Sequence, residues 1–322
     1  MTRPRWSPSP RLGVFLSVLA VVGWLVVTHR PVIRRSAALP ALVAVIEEGA
    51  AGPVYAVGIP GQGPVRLGPA PGLVSPFDPA AVWRSALYVA LGAAVVRVSP
   101  GRPPTFLTSP AGRALQVYAD NGRLYLLTEA GRGVAGLYVW QAGRFARLGR
   151  TPAGFFRFLP GSRHPWLLVI RPHTTELYWP GAPSLQAPVP GAESGAVAGG
   201  GLVMPDAGHE RALFVIGVRS LRQIRMPRGL VLAVTGPPVW VVGTDGLFSE
   251  KRGRIGRRVA WPARPPAGVS VVGEGEGGPW VLVREQALGG VWFNRADGRF
   301  GPPVRLQWAG TGSVLGLAVW PK

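Results

Sequence analysis

The chain has 322 residues, a formal net charge of +20, 47% hydrophobic residues and only 16% charged residues, a composition that excludes a disordered protein. Its 46 glycines and 35 prolines exclude a mainly helical protein and favour many short strands joined by tight turns. The absence of cysteine excludes disulfides and cysteine-based metal sites.

The N-terminal region predicts a membrane anchor. Residues 1–11 form a basic tail, and residues 12–28 form an apolar run that would be about 26 Å long as a helix, slightly less than the roughly 30 Å hydrocarbon core. We therefore predict an uncleaved transmembrane signal-anchor helix, followed by a short linker over residues 29–41. Two alternatives are a cleaved signal peptide, with Ser36-Ala37-Ala38 as the cleavage site, and a buried core helix.

The sequence predicts the orientation of this anchor in the membrane less directly than it predicts the anchor itself. Three arginines flank the apolar run on each side, so the positive-inside count is a tie. A short basic tail before a first apolar segment normally stays in the cytoplasm. We therefore expect the rest of the chain to be extracytoplasmic, attached to the cell membrane by a single span.

The region 42–322 has the pattern of an all-β repeat protein. Its units have four short strands, named a to d from the inside outward, and an aliphatic-aromatic pair marks strand c. The pairs are Val54-Tyr55, Leu137-Tyr138, Leu177-Tyr178, Leu213-Phe214, Leu247-Phe248 and Val291-Trp292, with Val95-Val96 in the remaining unit. Successive marks lie 34 to 44 residues apart, and a period near 40 with four strands is typical of β-propeller blades.

Aromatic residues also recur near the start of strand b. They are Tyr88, Tyr125, Trp166, Trp240 and Trp280. Because sheets that stack face to face need large side chains to fill a gap of about 10 Å, we interpret these residues as packing between blades rather than as a cofactor site.

The two ends of the repeat region complement each other. The first unit lacks strand a, and residues 312–320 form one extra strand after the last full unit. We predict that this strand joins blade one and closes the ring, which removes its exposed edges. The count is then seven blades, with six and eight as alternatives.

One unit resembles a known repeat. The segment Val239-Trp240-Val241-Val242-Gly243-Thr244-Asp245-Gly246-Leu247-Phe248 is similar to the two-component-regulator type of propeller repeat, which has an aromatic strand, a Gly-Thr-Asp-Gly turn and a Leu-aromatic strand. Residues 123–140 and 279–293 are looser versions. The resemblance implies a propeller of the kind often found in extracytoplasmic sensors, and no functional residue carries over from it.

Several sequence motifs resemble known binding sites but lack the structural context that those sites need. Two Gly-x-Gly-x-x-Gly segments, 131–136 and 273–278, lie between predicted strands, whereas a dinucleotide site needs a helix after the loop. The histidines, His29, His164, His173 and His209, lack paired metal spacing and are interpreted as surface turn residues.

We predict no catalytic residue, cofactor or metal. The enzyme alternative is a hydrolase or lyase with carboxylates near the central channel, where Glu274 and Glu276 are candidates.

Charge is distributed unevenly over the two predicted rims. The b–c and d–a loops carry nine of the 15 acidic residues, and we predict a partner-binding rim there; its candidates are Glu129, His173, Asp206, His209, Glu210, Asp245 and Glu285. The c–d turns carry arginines, and we predict a membrane-facing basic rim whose candidates are Arg102, Arg144, Arg252 and Arg299.

These observations favour a membrane-anchored, extracytoplasmic propeller that acts as a binding or scaffold module for a protein or an envelope component. The sensory part of a split signalling system is a further alternative. Because the basic residues are spread over nearly every turn rather than clustered in one patch, we expect no nucleic-acid partner. The sequence leaves the oligomeric state open.

Overall fold

The computed structural model describes residues 41–48, 52–69, 80–120, 122–161, 163–199, 201–236, 238–261, 268–275, 278–284, 290–292, 299–301, 304–305 and 313–320. These residues belong to one compact unit, Pro40–Lys322, and are all strand, turn or coil. Among them there is no helix long and apolar enough to cross a membrane. The predicted anchor at residues 12–28 lies outside the described residues.

Short strands follow one another along the whole unit. The first fifteen are Ala41–Glu47 (β1), Pro53–Val57 (β2), Val65–Pro69 (β3), Ala80–Trp83 (β4), Ala86–Leu91 (β5), Ala94–Val98 (β6), Thr105–Thr108 (β7), Ala114–Asp120 (β8), Arg123–Glu129 (β9), Ala135–Gln141 (β10), Arg144–Arg150 (β11), Phe155–Leu159 (β12), Trp166–Ile170 (β13), Thr175–Tyr178 (β14) and Leu185–Ala187 (β15). The rest are Ala196–Ala198 (β16), Gly201–Pro205 (β17), Ala212–Gly217 (β18), Ser220–Arg225 (β19), Val231–Thr235 (β20), Trp240–Gly243 (β21), Gly246–Lys251 (β22), Arg254–Val259 (β23), Gly268–Gly275 (β24), Gly278–Arg284 (β25), Gly290–Trp292 (β26), Val304–Arg305 (β27) and Ser313–Trp320 (β28).

The described strands form antiparallel sheets of four, as the repeat predicts. Sheet 1 has the order β28-β1-β2-β3, and sheets 2 to 7 take β4–β7, β8–β11, β12–β15, β16–β19, β20–β23 and β24–β27 in chain order. The first strands of neighbouring sheets lie beside each other: β4 contacts β8 and β28, and β24 contacts β20 and β28. The first strands of the sheets therefore lie on the inner side of the assembly, which is the position predicted for strand a.

Sheet 1 is built from both ends of the compact unit. Strand β28 pairs antiparallel with β1 from Ala41 opposite Trp320 to Glu47 opposite Ser313, with one irregularity after Val45. Trp320 is buried in a cluster with Val43 and with Leu87 of sheet 2. The last described strand thus occupies the place of the strand a that the first unit lacks.

The hydrophobic core lies between sheets rather than within any single sheet. Tyr88 of sheet 2 packs in one cluster with Leu124 of sheet 3. Tyr125, on the opposite face of sheet 3, packs with residues of sheet 4, and its ring meets that of Trp179 edge-on at 5.5 Å and 82°. These contacts confirm that the strand-b aromatics Tyr88 and Tyr125 pack between sheets; the side chain of Trp280 is not among those described.

The first Gly-x-Gly-x-x-Gly segment is a strand-to-strand turn, as predicted. Gly131 and Gly133 have φ angles of 85° and 72°, and the Val134 amide donates to the Gly131 carbonyl at 3.0 Å. Strand β10 follows, so no helix N-terminus is available for a phosphate. The second segment begins in β24 and ends in β25, and its residues 276–277 lie outside the described residues.

Removing residues 313–322 should destabilise the protein and cause self-association. The truncation exposes the edge of β1 and removes Trp320 from its cluster, and loss of a buried aromatic side chain alone costs roughly 3–5 kcal/mol. Urea unfolding of the full chain and of the truncated chain, followed by tryptophan fluorescence and light scattering, measures both effects. As a control, Phe106→Ala changes a residue that is 61% exposed and should shift the midpoint little. A truncated chain that stays monomeric with an unchanged midpoint would contradict this role of β28.

Candidate functional site

Antiparallel pairing sends the loops of every sheet to two opposite rims. The a–b and c–d turns share one rim, where neighbouring sheets are tied together: Trp83 Nε1 donates to the Gly122 carbonyl at 2.9 Å, and the Gly101 amide donates to Gln62 Oε1 at 3.1 Å. We call this the basic rim. The b–c and d–a loops share the opposite rim, which we call the mixed rim.

The basic rim is strongly cationic. Ten basic residues with described side chains lie in its turns or at the flanking strand ends, and all ten are exposed: Arg84, Arg102, Arg123, Arg144, Arg163, Arg219, Lys251, Arg252, Arg254 and Arg299. Among the described side chains in the same positions, Asp120 is the one acid. All four arginines predicted to face the membrane, Arg102, Arg144, Arg252 and Arg299, are on this rim.

The mixed rim is balanced in charge rather than acidic. In its loops and at the flanking strand ends it carries seven acids with described side chains, Glu47, Glu48, Glu129, Glu193, Asp206, Glu210 and Asp245. It also carries seven arginines, Arg113, Arg132, Arg150, Arg171, Arg211, Arg225 and Arg228. The seven acids lie where the sequence predicted them, but the arginines of this rim were not part of that prediction. Arg150 and Arg225 end a fourth strand, and Arg113 and Arg228 lie in the loop that follows one.

Hydrogen bonds join three loops of the mixed rim into what we call the first corner, residues 129–134, 151–155 and 171–174. The Gly154 amide donates to the Gly133 carbonyl at 3.0 Å, and Arg171 Nε donates to the Ala153 carbonyl at 2.7 Å. Arg171 also pairs with Glu176 at 3.0 Å. The structure therefore brings together the loops of two predicted partner-binding residues, Glu129 and His173, and both side chains are exposed.

The first corner also presents an aromatic side chain that the sequence analysis missed. Phe155 opens the inner strand β12 directly after Gly154, and it is 67% exposed. The sequence shows Phe155-Phe156 as two apolar residues at a strand start. Since alternate residues of a strand face opposite sides, the sequence alone does not say which of the two meets solvent.

A second corner is formed by residues 206–211, 226–231 and 244–245. The Val231 amide donates to the Glu210 carbonyl at 2.7 Å, while the Leu230 amide donates to Thr244 Oγ1 at 2.9 Å. These bonds bring the loop of Asp206, His209 and Glu210 next to the loop of Asp245. Leu230, whose amide donates the second of these bonds, is 36% exposed.

Asp206 organises its own loop. It is 5% exposed, and its carboxylate accepts hydrogen bonds from the Gly208 amide at 2.8 Å, from His209 Nδ1 at 3.0 Å and from Gln223 Nε2. Burial raises the pKa of Asp206, but these hydrogen bonds and the charge of His209 outweigh it, so that the pKa is lowered from its ordinary value. Among the predicted binding residues of this loop, His209 and Glu210 are the exposed ones.

Among the other residues singled out in the sequence, one has a different environment from the one predicted, and three lie outside the described residues or have no described side chain. His164 was interpreted as a surface turn residue, but its ring stacks on Trp179 at 4.9 Å and 8°. Glu285 and Glu276 lie outside the described residues, and the side chain of Glu274 is not described, so the carboxylates of the enzyme alternative stay a prediction. Within the described residues, no cluster of three or more histidines and carboxylates has the geometry of a metal site.

Comparison with known proteins shows the fold. No protein-family model and no curated protein matches the chain. Similar solved structures include the periplasmic gluconolactonase PpgL of Pseudomonas aeruginosa, at 15% identity and a TM-score of 0.51 over 88% of this chain and 99% of that one. A chain of a mitotic checkpoint complex has 13% identity and a TM-score of 0.52 over 76% of this chain and 81% of that one.

The chain has a β-propeller-type fold. AztD of Citrobacter koseri is also similar, with 10% identity and a TM-score of 0.48 over 87% of this chain and 98% of that one. At these identities the likeness to PpgL and to the checkpoint-complex chain supports the fold alone, and the resemblance to the two-component-regulator type stays a prediction.

Replacing Asp206 with Asn should destabilise the protein at neutral pH. Because folding lowers the pKa of Asp206, its ionised form stabilises the folded state above the ordinary aspartate pKa, and that contribution is lost as the pH falls through the folded pKa. We expect a loss of roughly 1–3 kcal/mol near pH 7, which shrinks at about pH 3. Urea unfolding of both forms at the two pH values measures this loss, and Glu210→Gln, at an exposed carboxylate of the same loop, is the control. If Asp206→Asn lowers the free energy of unfolding by the same amount at both pH values, the ionised carboxylate does not have this stabilising role.

Proposed function

We propose that this protein is a membrane-anchored, extracytoplasmic β-propeller whose mixed rim captures a protein or an envelope component. The observation that carries the proposal is the exposed Phe155, which lies in the first corner among exposed charged groups of both signs. Binding surfaces on proteins typically combine an aromatic anchor with a polar surround, and aromatic anchors dominate their energetics.

The proposal includes a closed ring of seven blades. Its support is the pairing of β28 with β1 and the contacts of β24 with both β20 and β28. In such a ring the loops of neighbouring blades converge on one rim. A single ligand can then contact both corners without any movement of the sheets beneath them.

The proposal also assigns each rim to a side. Strand β1 begins at Ala41, opposite Trp320, so the chain from the predicted linker 29–41 enters the propeller at the basic rim. A short linker keeps that rim close to the anchor, and basic residues near an anionic leaflet contribute about 1 kcal/mol each. The mixed rim then faces away from the membrane and is open to a partner.

Photo-crosslinking from position 155 tests partner capture. A photoreactive amino acid replaces Phe155 in the full chain, which is expressed in its native membrane and irradiated. We expect a discrete crosslinked product that is absent when the same group replaces Phe106, an equally exposed aromatic residue on an outer strand. In a second arm the group replaces His173, and Phe155→Ser should then reduce the product by roughly tenfold, as for loss of an interface anchor. Equal products from positions 106 and 155 would contradict the assignment of the mixed rim.

Protease accessibility tests the predicted topology. If the basic tail stays in the cytoplasm, protease added outside intact cells or spheroplasts should digest the propeller, because its exposed loops then lie on the outer side of the membrane. Immunoblotting with a C-terminal tag follows the full-length band, and a cytoplasmic protein serves as the control for lysis. Protection of the whole chain until the cells are lysed would reverse the orientation.

A further inference from the structure

Part of the positive charge of the basic rim is grouped on two neighbouring sheets. Two neighbouring turns, between β18 and β19 in sheet 5 and between β22 and β23 in sheet 6, together with the strand residues next to them, hold five exposed cationic side chains. We call this group the turn cluster: Arg219, Arg222, Lys251, Arg252 and Arg254. Within the described residues, none of the five forms an ion pair.

The two turns form a single surface. A Cβ atom placed on Gly253 would lie 2.8 Å from Arg222 Nη2 and 3.2 Å from its Cζ, so the guanidinium of sheet 5 lies against the turn of sheet 6. The turn itself is tight, since Arg252 and Gly253 have φ angles of 54° and 81°, which suits a two-residue hairpin. Glu250 is the carboxylate nearest in sequence; it is largely buried, and its Oε1 accepts a hydrogen bond from the Gly253 amide.

An apolar side chain stands at the tip of the turn cluster. Val218, at the turn between β18 and β19, is 81% exposed, and Leu221 on the adjoining outer strand is exposed as well. An exposed aliphatic tip surrounded by cations matches the two layers of a membrane surface, where phosphate groups lie outside the hydrocarbon. A hydrophilic polyanion would match the cations but would gain nothing from Val218.

We propose that the turn cluster docks onto an anionic lipid bilayer, with its five cations on the phosphate groups and Val218 inserted below them. This inference rests on the proposed function, because it makes one part of the basic rim the point of contact with the membrane. Docking at one edge of the rim would tilt the propeller toward sheets 5 and 6.

The absence of cysteine from the chain allows a direct test. Val218→Cys in the full chain, labelled with an environment-sensitive dye and reconstituted in nanodiscs of phosphatidylcholine with phosphatidylserine, should show a blue shift and protection from iodide. The signal should fall in pure phosphatidylcholine and at high salt. Phe106→Cys, labelled in the same way, is the matched control and should stay in water. Ser36→Cys reports independently whether the N-terminal region lies at the bilayer.

Charge variants locate the interaction. Arg219, Arg222 and Arg254 changed together to Gln should lower the docking constant by roughly a hundredfold, at about fivefold for each cation. The matched control changes Arg132, Arg150 and Arg228 on the mixed rim to Gln, which removes the same net charge and should leave docking nearly unchanged. Circular dichroism checks that both variants keep their strands.

Each outcome separates this inference from the proposed function. A dye at position 218 that stays in water while position 36 reports the bilayer overturns the docking but leaves the anchor intact. If neither position reports the bilayer, both proposals fail. Equal losses in the two triple variants, or a response at position 218 to polyphosphate or single-stranded DNA but not to the anionic bilayer, would also overturn the docking.

Discussion

The fold depends on hydrophobic packing between sheets. In sheet 3, Leu124 faces the cluster shared with sheet 2, while Tyr125 and Leu127 face the cluster shared with sheet 4. A four-stranded sheet with two apolar faces needs a neighbour on each side, since apolar surface contributes about 25 cal/mol per Å² only when it is removed from water. The same packing constraint therefore explains both the repeat of four strands and the stacking of the sheets. The first and last described strands meet in sheet 1.

The same constraint explains the placement of the charged residues. Because both faces of each sheet are used for packing, most of the described charged groups lie at the rims or on the outer strands. On the outer strand β19 most residues are exposed, and they include Arg222 and Arg225. Arginines on β11, such as Arg147, are also exposed. Charged side chains on an exposed edge oppose pairing with another molecule, so these arginines keep the outer strands from aggregating.

Because packing holds the sheets, the loops are free to differ between repeats, and function is concentrated there. The two corners of the mixed rim are fixed by backbone hydrogen bonds such as those from Gly154 and Val231, which leave the side chains of Glu129, His173 and Glu210 exposed. The basic rim uses shorter turns, and the contact of Arg222 with the turn at Gly253 crosses from one sheet to the next. A rigid stack thus presents two surfaces of different chemistry, one on each side.

The sequence by itself determined the all-β class, the four-strand repeat and the assignment of residues to rims, because the aliphatic-aromatic marks and the alternation of strands and turns are local properties. It also located Arg102 and Arg252 in the turns where the structure has them, and Arg144 at the strand end beside such a turn. The tertiary structure decided what depends on neighbours distant in sequence. It buried Asp206, which accepts a hydrogen bond from Gln223, and it stacked His164 on Trp179. It also left Phe155 exposed and brought Arg222 against Gly253 of the next sheet. Exposure and charge balance on a rim arise from how separate sheets pack, and no local pattern records that packing.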